Sequence, residues 1–315
     1  MSSPFNNRVF GCVVIKSVNS NYNADFTHQP RTLPDGTAYA TDKVLKYSVR
    51  NYLKVNHPGD KILYFKSLNK DTMQPLDLAQ AYETVIGPFP KNEGKDKETK
   101  NRREILQKLL SCIDVRLFGG TFAEKGANIS IHGTTQITHG VNRFPESVIY
   151  AEQISSPFKN SNEKSANLMQ TTLGTQYKLR EGHYVHHFSI NPGNLRDFVE
   201  RFEGMALQNE DIEKLKSGLS HGVTYYDSSA KAGTENELLL WVQLKPESKL
   251  VLPSFVELVS VRDDAQRTID LSKVKEILAR PQVRNAIERI EVYYDKATTH
   301  VEGLPDNAVF NDIHQ

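Results

Sequence analysis

RVFGCVVIK, residues 8–16, is apolar at nearly every position. A strand with one face in water alternates apolar and polar residues. This one does not, so it is expected at the centre of a sheet with cover on both faces. The chain then changes character. Residues 19–40 are polar and rich in Asn, Pro, Gly and Asp, which reads as a long functional loop. Thr41 and Asp42 have the chemistry of a cap region, opening a helix that runs to about Lys54. Further on, the pattern predicts a short strand in KILYFKSL (61–68), a charged linker at Lys91–Lys100, a helix at Asn101–Cys112 and a strand at Ile129–Ile137. Ser155–Gly182 has no period and reads as an extended insertion between the strand-like VIYAEQI and HYVHHFSI. Helices are expected at Asn194–Leu207, Asp211–Leu219 and Leu271–Ala279, and strands at Glu237–Leu244, Phe255–Val261 and Ile290–Tyr294. A Gly/Ser loop covers His221–Thr234. Strands and helices alternate irregularly, which predicts an α+β fold on one sheet with insertions.

The 315 residues allow one large domain. No run approaches the ~20 apolar residues of a membrane span. Residues 1–8 lack a basic stretch followed by an apolar one, so no secretory signal is expected and the location is read as cytoplasmic. Cys12 and Cys112 each sit in an apolar run and are expected to be buried free thiols, with no disulfide and no metal. The net charge of +1 does not advertise a polyanion binder, so any such site must be a local patch.

The helix from residue 43 supplies one. On a helical wheel Val44, Leu45, Ser48, Val49, Tyr52 and Leu53 fall on one side, and Lys43, Lys46, Tyr47, Arg50 and Lys54 on the other. Four cations on one face repel one another, and a bound polyanion would relieve that repulsion. Arg50 could grip a phosphate through two parallel bonds. The ordinary alternative is a solvated face, or one paired with acids from elsewhere in the fold. The loop before the helix adds Arg31, the amides of Asn19, Asn21 and Asn23, and three aromatics, Tyr22, Phe26 and Tyr39, that could stack on bases. The alternative for these is a loop pinned by Asx turns and buried rings.

Three blocks then resemble one known family. SVNSNYNADFTHQPRTLPDGTAYATDKVLKYSVRNYL (17–53) resembles the N-terminal signature of the backbone subunit of type I CRISPR Cascade complexes. That is the seventh Cas family, in the repeat-associated mysterious protein superfamily, and the type I-B variant is the most similar form. DVRLFGGTF (114–122) followed by ISIHGTTQITHG (129–140) resembles the second block, and TTLGTQYKLREGHYVHHFSINPG (171–193) the third. The resemblance implies one domain over residues 1–315. Its core would be an RRM-like (ferredoxin-like) palm, with a helical insertion at 55–113 and a projecting β-hairpin thumb at 155–182. It implies a subunit without cofactor or catalysis, in the cytoplasm of a prokaryote. Copies would stack along a CRISPR RNA (crRNA) beside other Cascade subunits, exposing guide bases to target DNA. By position, Lys43, Lys46 and Arg50 match the RNA-contacting helix and Arg31 the basic loop position. Phe118 and Gly119 match the family's FG element, and Met169 or Leu168 would sit at the thumb tip. With Asn19, Asn21 and Lys54 these make up the expected RNA-binding set.

An enzymatic alternative is the metal-dependent RNA cleavage of type III relatives, which uses a loop aspartate. Turn formation accounts for Asp35, before Gly36, and capping accounts for Asp42. Asp25 has no such role in the sequence and is the residue to test. His183, His186 and His187 form the densest histidine cluster, but alternation on a strand sends His186 and His187 to opposite faces, so no zinc site is expected.

Overall fold

Alternate side chains of strand β1 (Val9–Ser20) serve two different cores. Val9, Val13 and Ile15 pack in one apolar cluster, while Phe10, Cys12 and Val14 pack in another. That is the two-sided cover expected for this stretch. Gly11 lies between Leu240 and Phe188 on the flanking strands, where a Cβ would come within 2.2 Å of the Leu240 carbonyl.

The computed structural model describes residues 3–91, 96–159 and 170–314. After β1 come β2 (Tyr39–Ala40), α1 (Asp42–Asn56), α2 (Leu78–Val85), α3 (Lys97–Leu110) and α4 (Ile113–Phe118). Strands β3 (Gly119–Glu124), β4 (Ala127–His132), β5 (Thr135–Ile137), β6 (Gly140–Asn142), β7 (Ile149–Lys159) and β8 (Gln170–Ile190) follow. A 3-10 turn leads into α5 (Arg196–Phe202), then α6 (Asn209–His221), β9 (Thr234–Leu244), β10 (Ser260–Val261), β11 (Ile269–Asp270), α7 (Ser272–Leu278) and α8 (Pro281–Ala286). Strands β12 (Ile287–Tyr293), β13 (Val301–Glu302) and β14 (Ala308–Asn311) end the described chain. The main sheet runs β14-β12-β9-β1-β8-β6-β2, with β5 and β7 also paired to β8. It is mixed: β12 and β14 are parallel and the remaining pairs antiparallel. One face carries α1 and α6, through Leu45, Val49, Leu53, Ile212, Leu215 and Leu219. The other carries the C-terminal segment, through Phe255, Ile269, Val274 and Leu278. A third cluster joins α2 and α3 to the β3–β4 hairpin through Tyr82, Leu109 and Phe122. Among the described residues, no helix is long and apolar enough to cross a membrane. Cys12 and Cys112 are buried free thiols.

Several local expectations are corrected. KILYFKSL forms no strand; only Leu68 makes an isolated bridge, to Pro75. The amides of Leu63 and Tyr64 bond to the side chain of Asp114 instead of to a neighbouring strand. The helix expected from Asn101 begins at Lys97, α2 falls inside the expected helical insertion, and α4 and β3 are elements the sequence pattern does not mark. Ile129–Ile137 is two strands, broken at Gly133 by its contact with Phe118 and Gly119. The helix expected to reach Leu207 ends at Phe202, where Glu203 adopts a left-handed φ of 57°. Phe255–Val261 is mostly irregular, with a strand only at Ser260–Val261. The insertion at 155–182 and its flanks are continuous strand where described, since β7 and β8 pair antiparallel from Ile149–Leu179 out to Lys159–Gln170. Met169 and Leu168 lie outside the described residues.

Candidate nucleic-acid interface

Helix α1 divides as its periodicity predicts. Leu45, Ser48, Val49 and Leu53 are buried and Lys43 and Lys54 are exposed, while Lys46 and Arg50 lie at the edge of that core, largely covered. The expectation of a self-repelling outer face is corrected, however. Lys46 Nζ lies 2.9 Å from Asp42, one turn earlier on the same helix, and only 14% of its side chain is exposed. Arg50 Nε donates to the fully buried Asp114 at 3.2 Å. The ordinary alternative of an acid supplied from elsewhere in the fold therefore holds for Arg50, while Lys46 pairs within its own helix. Lys43 is different: its side chain is 83% exposed and reaches Asp42 only at 3.4 Å. Lys54 Nζ rests 4.5 Å from the Phe65 ring centre and donates to Ser67.

Asp42 does not cap the helix. Thr41 is the cap residue, and its N–H and hydroxyl donate to Asn23 Oδ1 at 2.9 and 3.0 Å. Asp42 sits in the first turn, where a negative charge meets the positive end of the helix dipole. Burial pushes its carboxyl up, but Lys46 and Lys43 outweigh that and hold it below the usual carboxylate range.

Asp114 joins α4 to two distant segments. Its oxygens accept from Arg50, from Leu63 N–H at 3.0 Å and from Tyr64 N–H at 2.9 Å. Only Nε of Arg50 is used; its two terminal nitrogens make no hydrogen bond among the described residues. Arg50 also lies over Phe118, 5.0 Å from the ring centre, with Lys46 at 5.9 Å. Phe118 is thus a buried floor beneath two cations, not an exposed contact. Gly119 follows at φ 71° and turns the chain from α4 into β3. No sequence signal marked Asp114 for this role, because its partners lie 50 to 64 positions away.

The loop residues separate by burial. Tyr22 is fully buried and its hydroxyl meets His186 Nε2 at 3.2 Å, so it is unavailable for stacking. Tyr39 packs on His139, with ring centres 5.5 Å apart. Asn21 is buried and its amide nitrogen donates to His28 O and Tyr177 O. Asn19 accepts from the Tyr150 hydroxyl. Asp25 does have a structural role: Oδ1 accepts from Thr27 N–H, the Thr27 hydroxyl and Gln29 N–H. Those bonds, the Thr27 hydroxyl first, hold its carboxyl below the usual range. Asp35 accepts from Thr37 N–H, as its turn position implies. Among the described residues no three His, Cys, Asp or Glu side chains are grouped to hold a metal ion.

The histidines are core residues. His183 Nδ1 meets Glu237 at 2.6 Å in the interior. His186 Nδ1 lies 3.0 Å from the Thr138 carbonyl, which can only accept, so this nitrogen carries the proton and Nε2 accepts from Tyr22. His187 Nδ1, on the other face, accepts from Phe255 N–H. Burial pushes the pKa of both His186 and His187 down to about 4. In the unfolded chain an imidazole takes its proton near pH 6.5. Below about pH 6.5 the unfolded chain therefore binds protons that the folded chain refuses, so stability falls until about pH 4, where the folded rings protonate too. The melting temperature should drop steadily across this window, and less steeply in His186→Gln. A melting temperature independent of pH would count against the assignment.

The model of the family described as CRISPR-associated protein Cas7 matches residues 7–277. A solved chain of a "CRISPR RNA-guided surveillance complex, pre-nicking" superposes with a TM-score of 0.57 at 13% identity, covering 97% of this chain and 96% of that one. A chain of a "CRISPR RNA-guided surveillance complex" superposes with a TM-score of 0.47 at 12% identity, covering 93% and 95%. The first shares this fold, a mixture of helices around a large sheet. No curated protein matches the sequence.

Proposed function

Because the chain belongs to the CRISPR-associated Cas7 family, we propose that it is the crRNA backbone subunit of a type I Cascade complex, of the I-B form. Copies assemble along one guide RNA beside other Cascade subunits, in a prokaryotic cytoplasm, and leave guide bases free to pair with target DNA. The match over residues 7–277 carries this proposal. In it, the main sheet is an RRM-like palm within a single domain, residues 55–113 a helical insertion, and 155–182 the thumb, with Met169 at its tip. Lys43 and Lys54 are exposed and can turn from Asp42 and Ser67 to meet phosphates, and Asp114 aims the guanidinium of Arg50 while leaving its terminal nitrogens for one. Lys46 shares its charge between Asp42 and the RNA. Arg31, Asn19 and Asn21 shape the adjoining loop, and Phe118 with Gly119 supports the helix from below.

Purified protein is expected to carry RNA, with a 260/280 nm absorbance ratio above that of protein alone. Lys43→Glu combined with Lys54→Glu should release it, since neither side chain is buried. The salt dependence of binding should also flatten, by about 0.7 log units per log salt for each phosphate that is no longer neutralised. Wild-type binding by that double variant would refute the interface. No cleavage of the bound RNA in Mg²⁺ is expected. Cleavage abolished by Asp25→Ala would establish the ribonuclease alternative.

A further inference from the structure

Phe26 is the most exposed large apolar side chain among the described residues, at 97%, yet it does not sit on a slack loop. Asp25 Oδ1 takes three donors from Thr27 and Gln29, Asp25 N–H donates to Gln29 O at 2.8 Å, and His28 N–H donates to Asp25 O at 3.2 Å. Ala24 and Pro30 close the turn as an isolated bridge. The turn is braced on two sides. Asn23 Oδ1 holds Thr41 at the start of α1, and the Asn21 amide spans His28 O and Tyr177 O on β8. The polar groups of Asp25, Thr27 and Gln29 thus fix a backbone whose one outward apolar group is a bare ring.

A ring in water forgoes the gain that burial would bring, so a fixed and fully exposed one is poised for a contact made elsewhere. Its neighbours Asp25, Thr27, His28 and Gln29 are themselves polar and partly or fully exposed. Large contiguous apolar patches mark protein-docking surfaces, whereas this turn presents a single ring among polar neighbours. A lone ring with both faces open suits a planar partner. We propose that Phe26 is a stacking post for one unpaired base of the bound RNA, held at the junction of helix α1 and strand β8. It spaces that base, while the cations of α1 hold the backbone. The inference rests on the RNA-binding role proposed above.

The test uses the full-length chain stripped of RNA and titrated with single-stranded oligouridine and oligoadenosine, each in a length for one copy and a length for several. Phe26→Leu keeps the apolar bulk and removes the ring. It should weaken binding roughly 5- to 100-fold on both lengths, with an unchanged salt slope, because every phosphate keeps its cation. Phe26→Trp should retain affinity, and its emission should be quenched on binding. The chain's one native tryptophan, Trp241, is buried and serves as the silent background. Oligoadenosine should gain more from the ring than oligouridine, as the larger base offers more stacking area. If Phe26→Leu binds like wild type while Lys43→Glu is weakened, the stacking post is wrong and the RNA interface stands. If Phe26→Leu loses only the cooperative filling of the long RNA, the ring meets a second copy and stacking is overturned. If wild type binds neither RNA, the RNA-binding role itself fails and the post with it.

Discussion

Asp114→Ala is expected to cost about 3–5 kcal/mol of folding stability, among the largest effects of any single substitution in this chain. The carboxylate is fully buried, and its removal strands three donors: Arg50 Nε and the backbone N–H groups of Leu63 and Tyr64. Stranded buried donors pay their full desolvation cost, and Ala returns nothing. Urea denaturation should show a lower midpoint at unchanged slope. Asp114→Asn should fall between, since its one oxygen still accepts while its NH₂ faces a donor. A loss under about 1 kcal/mol on Asp114→Ala would mean that the 61–68 segment is not held by this side chain. The consequence extends to function: Arg50 would lose the partner that aims it.

Gly119→Ala is expected to cost about 3 kcal/mol or more. At φ 71° and ψ −171° the backbone occupies a region open essentially only to glycine. A Cβ there would also lie 2.2 Å from Ile131 O and 2.4 Å from Gly133 N, both backbone atoms that cannot swing aside. Gly126 provides the control. It has φ 77° in the β3–β4 turn but nothing within 4 Å of a built Cβ, so Gly126→Ala should cost only about 1–2 kcal/mol, the strain alone. Equal losses at the two sites would mean that the close approach at Gly119 does not exist. If the FG element serves the interface by supporting α1, Gly119→Ala should lower affinity and melting temperature together.

Period and burial agree where one local rule decides both. An unbroken apolar run at residues 8–16 cannot put either face in water, so a central strand followed from the run alone. The 3.6-residue period of Leu45, Val49 and Leu53 likewise named the face of α1 that packs. Asp35 before Gly36 marked its own turn. Failures arose where a distant side chain intervened. KILYFKSL has strand composition, but Asp114 takes two of its amides, and no window around residue 63 contains residue 114. The fourfold positive wheel on α1 suggested repulsion; Asp114, 64 positions away, removed it for Arg50, while Lys46 pairs locally with Asp42 one turn earlier. Tyr22, Phe26 and Tyr39 were equivalent as sequence. Only packing buried the first, paired the last with His139 and left Phe26 in the open.

The sequence by itself determined the central strand, the inward face of the basic helix and, through three ordered blocks, the family. These are properties of spacing along the chain, and spacing survives without a fold. The tertiary structure alone decided that Arg50 is already paired, which aromatic is free and which glycine cannot change. Those are properties of approach between segments far apart in the chain, such as Asp114 with Leu63 and Arg50, and they exist only once the chain has closed on itself.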